Sequence, residues 1–222
     1  MANTVAGARS LVARVSAKAE VGARRAQAAL LAQRIRRSSP ARSGDGVRLH
    51  LGCGSVHLNG WCNIDNEPGS VADVRWDLRQ GLPLPSGIAS RIYSEHFFEH
   101  LELDEGKRLF SDCRRVLRDQ GVFRLAMPDL GRIVENYKGP WRDVPVLQDP
   151  SFAFIDTNAH YINHVFRAWG HLYLYDYDDL ELRLRQAGFG SVTKQEKGIS
   201  GHADLCGLET RAESWLVVEA TP

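Results

Sequence analysis

The segment VRLHLGCG, residues 47–54, is the feature that most limits what this chain can fold into. An apolar, partly β-branched run predicts a buried strand, and it stops at Gly52 and Gly54, which are one residue apart. Glycine permits a positive φ and lets a ligand approach the main chain closely. The segment therefore predicts a strand that leads into a nucleotide-binding turn.

Segments with strand character alternate with segments of helical periodicity along the rest of the chain. A helix is predicted over 104–121, with Gly121 as its stop, and another from 176 to a stop at Gly188. Strands are predicted at 62–65, 72–77, 90–96, 121–128, directly after Gly188, and in the closing SWLVVEA. This alternation predicts an α/β three-layer sandwich with a mostly parallel sheet, which binds ligands at the carboxyl ends of its strands.

The spacing after the glycines argues against a dinucleotide. A dinucleotide-binding turn needs a third small residue for close packing of helix and strand, but His57 stands at that position. The stretch from Gly54 to Cys62 is also too short for a crossover helix of several turns. Asp65 ends the next predicted strand, where a carboxylate can accept hydrogen bonds from both hydroxyls of a ribose.

Four motifs then carry a resemblance: LHLGCGSVHLNGWCNID, WDLRQGLPLP, IYSEHFFEHL and FRLAMPDL. They resemble the successive motifs of class I S-adenosylmethionine-dependent methyltransferases, over about residues 47–138 with a weaker echo to 220. The chain is most similar to a compact bacterial type that is often encoded beside glycan-assembly enzymes. The resemblance implies a Rossmann-like methyltransferase fold with seven strands, the last of them antiparallel.

The resemblance also implies a set of cofactor-binding positions. Gly52, Cys53 and Gly54 would bend around the methionine part, Asp65 would hold the ribose, and Asp77 and Leu78 would edge the adenine. The remaining positions in the implied set are Leu51, Asn66, and a far wall of Ser94, Glu95 and His96. The chain departs from the family pattern at His50, where an acidic residue is common, and at Val56, where a third glycine is common.

The run HFFEH, residues 96–100, raises a rival hypothesis. It matches the HxxEH signature of inverted zinc peptidases, in which His96 and His100 would lie on one helical face. Such a site needs a third protein ligand and an open coordination position within a peptidase framework. We expect instead that this run follows the fourth strand and faces the cofactor and the substrate.

Histidines are the candidates for catalysis. If the methyl acceptor is an alcohol, its proton must leave during attack, and a histidine can serve as the general base. The candidates are His96, His100, His164 and His171; we favour His96 and His171, with Asp129 as a polar partner. A divalent cation such as Mg²⁺, held by His160, His164 and Asp129, is a further hypothesis, and the metal ligands stay otherwise unassigned.

Residues 139–175 interrupt the α/β rhythm and predict a substrate-binding insertion. They carry Tyr161, Trp169, Tyr173 and Tyr175, whose rings suit the flat faces of sugars. We therefore expect O-methylation of a sugar hydroxyl of a mono- or oligosaccharide, for example a mannose- or rhamnose-type glycan precursor. The alternatives are a methyltransferase for another small or lipid-linked acceptor, and a non-catalytic cofactor-binding partner subunit.

Charge is distributed unevenly between two predicted regions, a basic helical extension at 1–42 and a methyltransferase domain at 43–222. The extension holds nine Lys or Arg residues and one acid, Glu20, whereas the rest of the chain has a net charge of −7. An acidic body argues against a nucleic-acid substrate. The extension predicts a helix that caps the core or makes peripheral contact with an anionic membrane, and its lack of acids also resembles a transit peptide.

The cysteines and the hydropathy pattern complete these expectations. The four cysteines form no CxxC pair, so neither a zinc ribbon nor a disulfide scaffold is indicated, and a reducing cytoplasmic compartment fits best. No apolar run reaches the length of a membrane span. The expected partner is a small-molecule or oligosaccharide substrate, and a homodimer is compatible with the sequence.

Overall fold

The computed structural model describes residues 26, 29–35, 37 and 46–222. Residues 29–35 are helical, and Leu31 and Ile35 are buried in the main apolar cluster of the protein. Apart from residues 26 and 37, the rest of the predicted extension at 1–42 lies outside the described residues. None of the helices in the described ranges is long and apolar enough to cross a membrane.

A seven-stranded sheet with the order β3-β2-β1-β4-β5-β7-β6 forms the centre of the fold. β1 to β5 pair in parallel, whereas β7 runs antiparallel to both β5 and β6. The predicted fold class, with an antiparallel last strand, is confirmed. The strands are β1 Val47–Leu51, β2 Cys62–Asp65, β3 Val74–Arg75, β4 Ala89–Glu95, β5 Leu117–Met127, β6 Ser191–Gln195 and β7 Leu216–Thr221.

Besides the helical residues 29–35, the described part of the chain contains four α-helices. They are α1 Leu103–Val116, α2 Leu130–Lys138, α3 Asn158–Arg167 and α4 Tyr177–Gln186. The first turn of α1 is closed by Glu105, whose side chain accepts from the backbone N–H of Glu102 at 3.0 Å. Asp176 caps α4 by accepting from the N–H of Asp179 at 2.9 Å. Gly188, at φ 96°, follows the end of α4 as predicted.

The predicted stop of the first helix at Gly121 is wrong. α1 ends at Val116, and β5 begins at the next residue. Leu117 pairs with Ala89 and Val122 pairs with Arg91, so the register shifts between these two pairs and Gly121 lies in the irregular part of β5. Sheet pairing with β4 therefore takes over a segment whose local sequence favours a helix.

The two faces of the sheet are covered differently. On one face, strand residues such as Leu49, Ile92 and Phe123 pack in one cluster with α1, α4 and the helical residues 29–35. On the other face, Tyr93 and Val122 pack against Trp61 and Leu205. In the described ranges, that third layer consists of connecting segments and the short 3-10 turn Ala203–Leu205.

Residues 139–175 fold over the carboxyl end of the sheet, where parallel strands present their loops. They comprise α3 and the short 3-10 turns Trp141–Asp143, Pro145–Gln148, Pro150–Phe152 and Ala168–Gly170. Their buried side chains form a second apolar cluster with Ile133 of α2; its members from this segment are Trp141, Val144, Ile155, Tyr161, Val165 and Leu174. The segment thus has a small core of its own.

Glu95, the last residue of β4, joins the sheet to a distant loop. Its buried carboxylate accepts from the N–H and hydroxyl of Thr210, from the N–H of Arg211 at 3.0 Å and from the hydroxyl of Ser214 at 2.7 Å. Burial alone would raise the pKa of Glu95, but the hydrogen bonds from Ser214, Arg211 and Thr210 outweigh it and lower the pKa. The ionised carboxylate therefore holds the loop that follows residue 209 against the end of β4.

We expect Glu95→Gln to lower the free energy of unfolding by about 1–3 kcal/mol at neutral pH, because an amide offers one acceptor oxygen where the carboxylate offers two. The folded-state pKa of Glu95 lies below its unfolded value of 4.5, so this stabilisation is present above that pH and is lost as the pH falls through the folded-state pKa. Urea unfolding of both proteins at several pH values measures the difference.

Glu67→Gln is the matched control, since Glu67 is exposed and its change should shift stability by no more than about 0.5 kcal/mol. A Glu95→Gln effect that did not shrink at acidic pH would contradict an ionised, hydrogen-bonded Glu95.

Candidate active site

The ends of β1, β2 and β4 lie side by side. Leu51 pairs with Ile64 of β2 and with Ser94 of β4, so the residues that follow these three strands meet at one edge of the sheet. The backbone N–H of Gly54 donates to Oδ2 of Asp65 at 2.8 Å and thereby connects the glycine turn to the end of β2. The structure therefore brings together the predicted cofactor positions of the glycine turn and the predicted ribose-binding residue Asp65, although they are separated in sequence.

Gly52 and Gly54 of this turn have different surroundings. Gly52 has φ 66°, and a β-carbon added to it would lie 2.3 Å from Cγ of Phe97. The group that approaches the backbone at Gly52 is therefore a side chain of the protein itself. Gly54 has φ 51°, and a β-carbon there would meet nothing within 4 Å, so this position opens onto unfilled space. Only at Gly54 does the described structure leave room for a ligand beside the turn.

Cys53 lies buried between these glycines, and burial raises the pKa of its thiol to about 12. A thiol with so high a pKa stays protonated at neutral pH and is a poor nucleophile. The Cys53 side chain therefore fills space within the turn. All four cysteines are unpaired, as the sequence predicted.

Asp65 and Asn66 stand where β2 ends. Oδ1 of Asp65 accepts from the N–H of Glu67 at 2.7 Å, and together with the Gly54 contact this fixes the orientation of the carboxylate. Each oxygen still has a second lone pair that can accept from a hydroxyl. Asn66 is exposed. Asp65 is thus preorganised as an acceptor at the mouth of the turn.

Asp77 and Leu78 follow the edge strand β3, and both side chains contact other residues of the protein. The hydrogen bonds from the Arg79 side chain lower the pKa of Asp77, which also caps the 3-10 turn Leu78–Gln80. The side chain of Leu78 is buried in the main cluster. Any contact of this segment with an adenine would therefore come from its backbone or from the edge of the Asp77–Arg79 pair.

Ser94 and Glu95 use their side chains within the protein. The buried hydroxyl of Ser94 donates to the carbonyl of Leu51 at 3.0 Å, and the carboxylate of Glu95 is held by the loop after residue 209. At these two predicted wall positions, only backbone atoms remain for a cofactor. His50, the departure from the family pattern, is likewise buried, and its Nδ1 lies 2.9 Å from Oδ1 of Asn63.

A cavity of about 320 Å³ lies at the carboxyl ends of β4 and β5, beneath the 139–175 segment. Its polar lining comes from His96, His100, His171, Arg211 and Glu213. Its apolar lining includes Ile133, Val144, Val146, Leu147, Val165 and Trp215. The volume falls within the usual range for a small-molecule site.

His96 lines this cavity and directly precedes Phe97, the residue that packs on Gly52 of the glycine turn. It follows β4 directly and has φ 49°, a left-handed conformation that a non-glycine residue seldom adopts without a functional or packing reason. Its Nδ1 lies 3.2 Å from Oε1 of Glu99, and its buried Nε2 has no hydrogen-bond partner among the described residues. The imidazole thus lies beside a buried carboxylate and lines the cavity.

His171 and His100 lie in the same cavity, with ring centroids 5.2 Å apart. Nδ1 of His171 lies 2.7 Å from the carbonyl oxygen of Val165, to which only a protonated Nδ1 can donate. Burial lowers the pKa of His171, which favours the neutral imidazole. Three of the four predicted catalytic histidines therefore converge on one cavity.

The other two predicted catalytic residues do not join them. Asp129 caps α2 by accepting from the N–H of Gly131 at 2.9 Å, and its Oδ2 lies 3.5 Å from Nζ of Lys194. His164 packs against Trp169 with ring centroids 4.9 Å apart, and it does not line the cavity. The predicted role of Asp129 as a polar partner of His96 and His171 is therefore corrected: in the structure Asp129 caps a helix.

The predicted cation site of His160, His164 and Asp129 is not formed in the described part of the chain. Nδ1 of His160 lies 3.2 Å from Oδ1 of Asp156, and Asp129 is engaged at α2. The set of metal-ligating side chains that does converge among the described residues is Glu99, His100 and His171.

The rival peptidase hypothesis fails on local structure. Residues 96–100 are not a helix: His96 has a positive φ, and Phe98–His100 form a single 3-10 turn directly after β4. His96 and His100 therefore do not share a helical face as the inverted zinc signature requires.

The aromatic residues of the 139–175 segment differ in their exposure. Tyr175 is fully buried beside α1, and Tyr161 is buried and stacks on Trp141 with ring centroids 5.6 Å apart. The hydroxyl of Tyr173 donates to Asp179. Only Trp169, which is 49% exposed and lines the cavity, combines an accessible face with the predicted location. Of the four aromatic residues that were predicted to contact a sugar ring, Trp169 is thus the one whose ring face is accessible at the cavity.

Sequence reasoning missed Glu99, Arg211 and Glu213. Glu99 was noted only as part of HFFEH, and no local pattern indicates that it is fully buried. Arg211 and Glu213 reach the cavity because Glu95 holds their loop, and Oε1 of Glu213 accepts from the N–H of Val146 at 3.0 Å. These contacts join residues that are far apart in sequence.

Comparisons with known proteins give structural likeness alone. No protein-family model matches the chain, and no curated protein matches it. Several of the solved structures that it resembles are described as S-adenosylmethionine-dependent methyltransferases.

One, from Archaeoglobus fulgidus, is 14% identical, with a TM-score of 0.49 over 88% of this chain and 94% of that chain. Another, from Thermotoga maritima, is described as a possible histamine N-methyltransferase; it is 12% identical, with a TM-score of 0.47 over 86% and 91% of the two chains. The phosphoethanolamine N-methyltransferase 2 of Haemonchus contortus, in complex with S-adenosyl-L-methionine, is 14% identical, with a TM-score of 0.41 over 78% and 38%.

The packing of Phe97 on Gly52 gives a testable prediction. Gly52→Ala should lower the free energy of unfolding by roughly 2–4 kcal/mol, from the positive φ and from the clash. Phe97→Gly removes all three clashing atoms, so the double variant should lose about 1–3 kcal/mol less than the sum of the single losses. Denaturant unfolding of the four proteins measures this coupling.

Gly69→Ala serves as the control, because Gly69 has no positive φ and an added β-carbon meets nothing within 4 Å. Strict additivity of Gly52→Ala and Phe97→Gly would mean that Phe97 is not what excludes a side chain at residue 52.

Proposed function

We propose that this protein is an S-adenosylmethionine-dependent O-methyltransferase that acts on a hydroxyl of a mono- or oligosaccharide. One observation carries the proposal: His96, which lies beside a buried carboxylate, lines a cavity next to the strand ends that hold the glycine turn and Asp65. In this reading the 139–175 segment is the acceptor-binding part of one domain that spans 43–222.

The residues at the ends of β1 and β2 fit an adenosine group. Gly54 leaves open space beside the turn, and the fixed carboxylate of Asp65 has lone pairs directed outward for two ribose hydroxyls. Asn66, the backbone of Leu51 and Cys53, and the Asp77–Leu78 segment would complete the cradle. When bound there, S-adenosylmethionine supplies a methyl group activated by a sulfonium.

His96 would act as the general base. Its Nε2 would accept the proton of the acceptor hydroxyl, while Glu99 stabilises the imidazolium that forms and holds the ring in place. The cavity walls keep water away and align the hydroxyl, which supplies much of the rate advantage in a displacement reaction. Arg211 and Glu213 would hydrogen-bond other hydroxyls of the acceptor.

A lipid-linked or otherwise partly apolar acceptor is the second candidate, because most of the cavity lining is aliphatic or aromatic. A free monosaccharide would leave these side chains without apolar partners, whereas an alkyl or prenyl group attached to the sugar would cover them. The acidic body of the protein continues to argue against a nucleic-acid acceptor, and we propose a cytoplasmic enzyme.

Titration calorimetry with S-adenosylhomocysteine tests the cofactor site. We expect micromolar binding to the wild type and binding weaker by about 10-fold or more in Asp65→Asn, from the loss of charge-assisted hydrogen bonds. His96→Asn, chosen because asparagine tolerates a positive φ, should bind the ligand as the wild type does but methylate about 10²–10⁴-fold more slowly.

His202→Gln, in a histidine outside the cavity, is the control and should change neither quantity. Wild-type protein that binds no S-adenosylhomocysteine would refute the proposal. Equal methylation rates in His96→Asn and the wild type would refute only the role of His96 as general base and would leave the cofactor site in place.

A matched pair of acceptors separates the two acceptor classes. We expect methyl transfer to octyl mannoside or octyl rhamnoside to exceed transfer to the free sugar if the apolar lining binds the alkyl chain, mainly through a lower KM. Transfer from radiolabelled S-adenosylmethionine, followed by extraction of the glycoside, measures both rates. Equal KM values for the free and alkylated sugars would favour the simple saccharide acceptor.

A further inference from the structure

Three metal-ligating side chains meet at the cavity wall. One ligand atom from each of Glu99, His100 and His171 lies within 4.8 Å of the other two. His100 and His171 line the cavity, whereas Glu99 lies behind them and is fully buried. The cluster combines residues of the turn after β4 with a residue that lies about seventy positions later.

The carboxylate of Glu99 has too few partners for a buried charge. Oε1 lies 3.2 Å from Nδ1 of His96, but no donor within the described ranges is aligned for a hydrogen bond with either oxygen. A buried carboxylate without hydrogen bonds or a cation is costly, by several kcal/mol in ordinary cases. A positive charge placed among Glu99, His100 and His171 would remove this cost.

His171 is held in a tautomer that leaves one ring nitrogen free to bind a metal. Because its Nδ1–H donates to the carbonyl of Val165, its Nε2 carries the lone pair. Metal-binding histidines commonly donate their other ring N–H to a backbone carbonyl in this way.

The backbone next to His171 also fixes the position of this residue. Trp169 and Gly170, at φ 57° and 79°, form a tight turn directly before His171. The carbonyl of Glu99 accepts from the N–H of Leu172 at 2.8 Å and thereby fixes this turn against the carboxylate ligand.

We propose that Glu99, His100 and His171 bind a divalent transition-metal ion, with Zn²⁺ the expected occupant. Two imidazoles and one carboxylate form the three-ligand set of open zinc sites, whereas Mg²⁺ prefers oxygen ligands alone. The remaining coordination position faces the cavity. Because Glu99 has two oxygens, it can bind the ion through Oε2 and keep Oε1 beside His96.

The distances require only a small adjustment. Tetrahedral ligands at about 2.1 Å from zinc lie about 3.4 Å from one another, so ligand atoms that now lie within 4.8 Å must close by at most about 1.4 Å. His100 is half-buried, and its neighbour Gly170 has no side chain to obstruct the ring.

Metal binding by the full-length chain, with any affinity tag removed, tests the proposal. Co²⁺ replaces Zn²⁺ in such sites, and we expect it to give visible absorption bands of a four- or five-coordinate ion that saturate at one equivalent. Zn²⁺ should abolish the bands, whereas excess Mg²⁺ should not. Zn²⁺ should also raise the Tm of the wild type, and a chelator should reverse the rise.

Variants of the ligands locate the ion. His100→Ala, His171→Ala and Glu99→Gln should each weaken Co²⁺ binding by at least about 10-fold. His160→Ala, also in a histidine beside a carboxylate but outside the cluster, should bind as the wild type does. Circular dichroism checks folding; if His171→Ala is unfolded, the half-buried His100 and the isosteric Glu99→Gln still decide the result.

Two outcomes would overturn the proposal: no Co²⁺ bands in the wild type, or bands that persist unchanged in folded His100→Ala and Glu99→Gln. In either case His96 would be the one cationic partner left for Glu99 among the described residues. Because none of these measurements involves methyl transfer or S-adenosylhomocysteine, metal binding and the proposed function succeed or fail separately.

Discussion

The carboxylate of Glu95 is the contact on which the site depends. It ends the strand next to β1 and accepts hydrogen bonds from Thr210, Arg211 and Ser214, more than a hundred residues later in the chain. This contact brings Arg211, Glu213 and Trp215 to the cavity, and Glu213 in turn binds the backbone of Val146 in the 139–175 segment. Without an ionised Glu95, the cavity would lose the wall that the loop after residue 209 provides.

Residues 96–100, which directly follow Glu95, have several different structural roles. His96 bends the chain with a positive φ and presents its imidazole to the cavity, Phe97 packs on Gly52, and Glu99 buries a carboxylate behind the histidines. Such concentration has a physical reason, because the end of a central parallel strand is where the chain leaves the sheet and where its neighbours also end. Side chains placed there meet residues from several strands at once. The cost is local strain and an undersatisfied carboxylate, which are features of functional sites more than of stable cores.

Elsewhere the same sheet shows a buried charge that is fully paired. Arg124 of β5 is buried with Glu219 of β7 and Glu209 of the loop that follows β6, at 2.7 and 2.6 Å. Its contrast with Glu99 is informative. Where the sheet must only hold together, the buried charge has two ion-pair partners and backbone acceptors; where the cavity lies, a buried carboxylate has one imidazole at 3.2 Å and no aligned donor among the described residues. That difference distinguishes a structural ion pair from a carboxylate whose acceptor atoms stay unused beside a cavity.

Local sequence patterns predict the order of elements, the mostly parallel sheet, the glycine turn and the position of His96 after β4, because hydrophobic periodicity and turn residues act over a few positions. They misplaced the end of α1, since pairing of Leu117 with Ala89 overrode a local helical pattern. They also assigned Asp129 and His164 to catalysis, although Asp129 caps a helix and His164 packs against Trp169. Three contacts are visible only in the folded protein: Phe97 packs on Gly52, Glu95 binds residue 210, and Glu99 lies close to His171. Those contacts join distant segments, and their partners are set by strand order and burial, which no local pattern encodes.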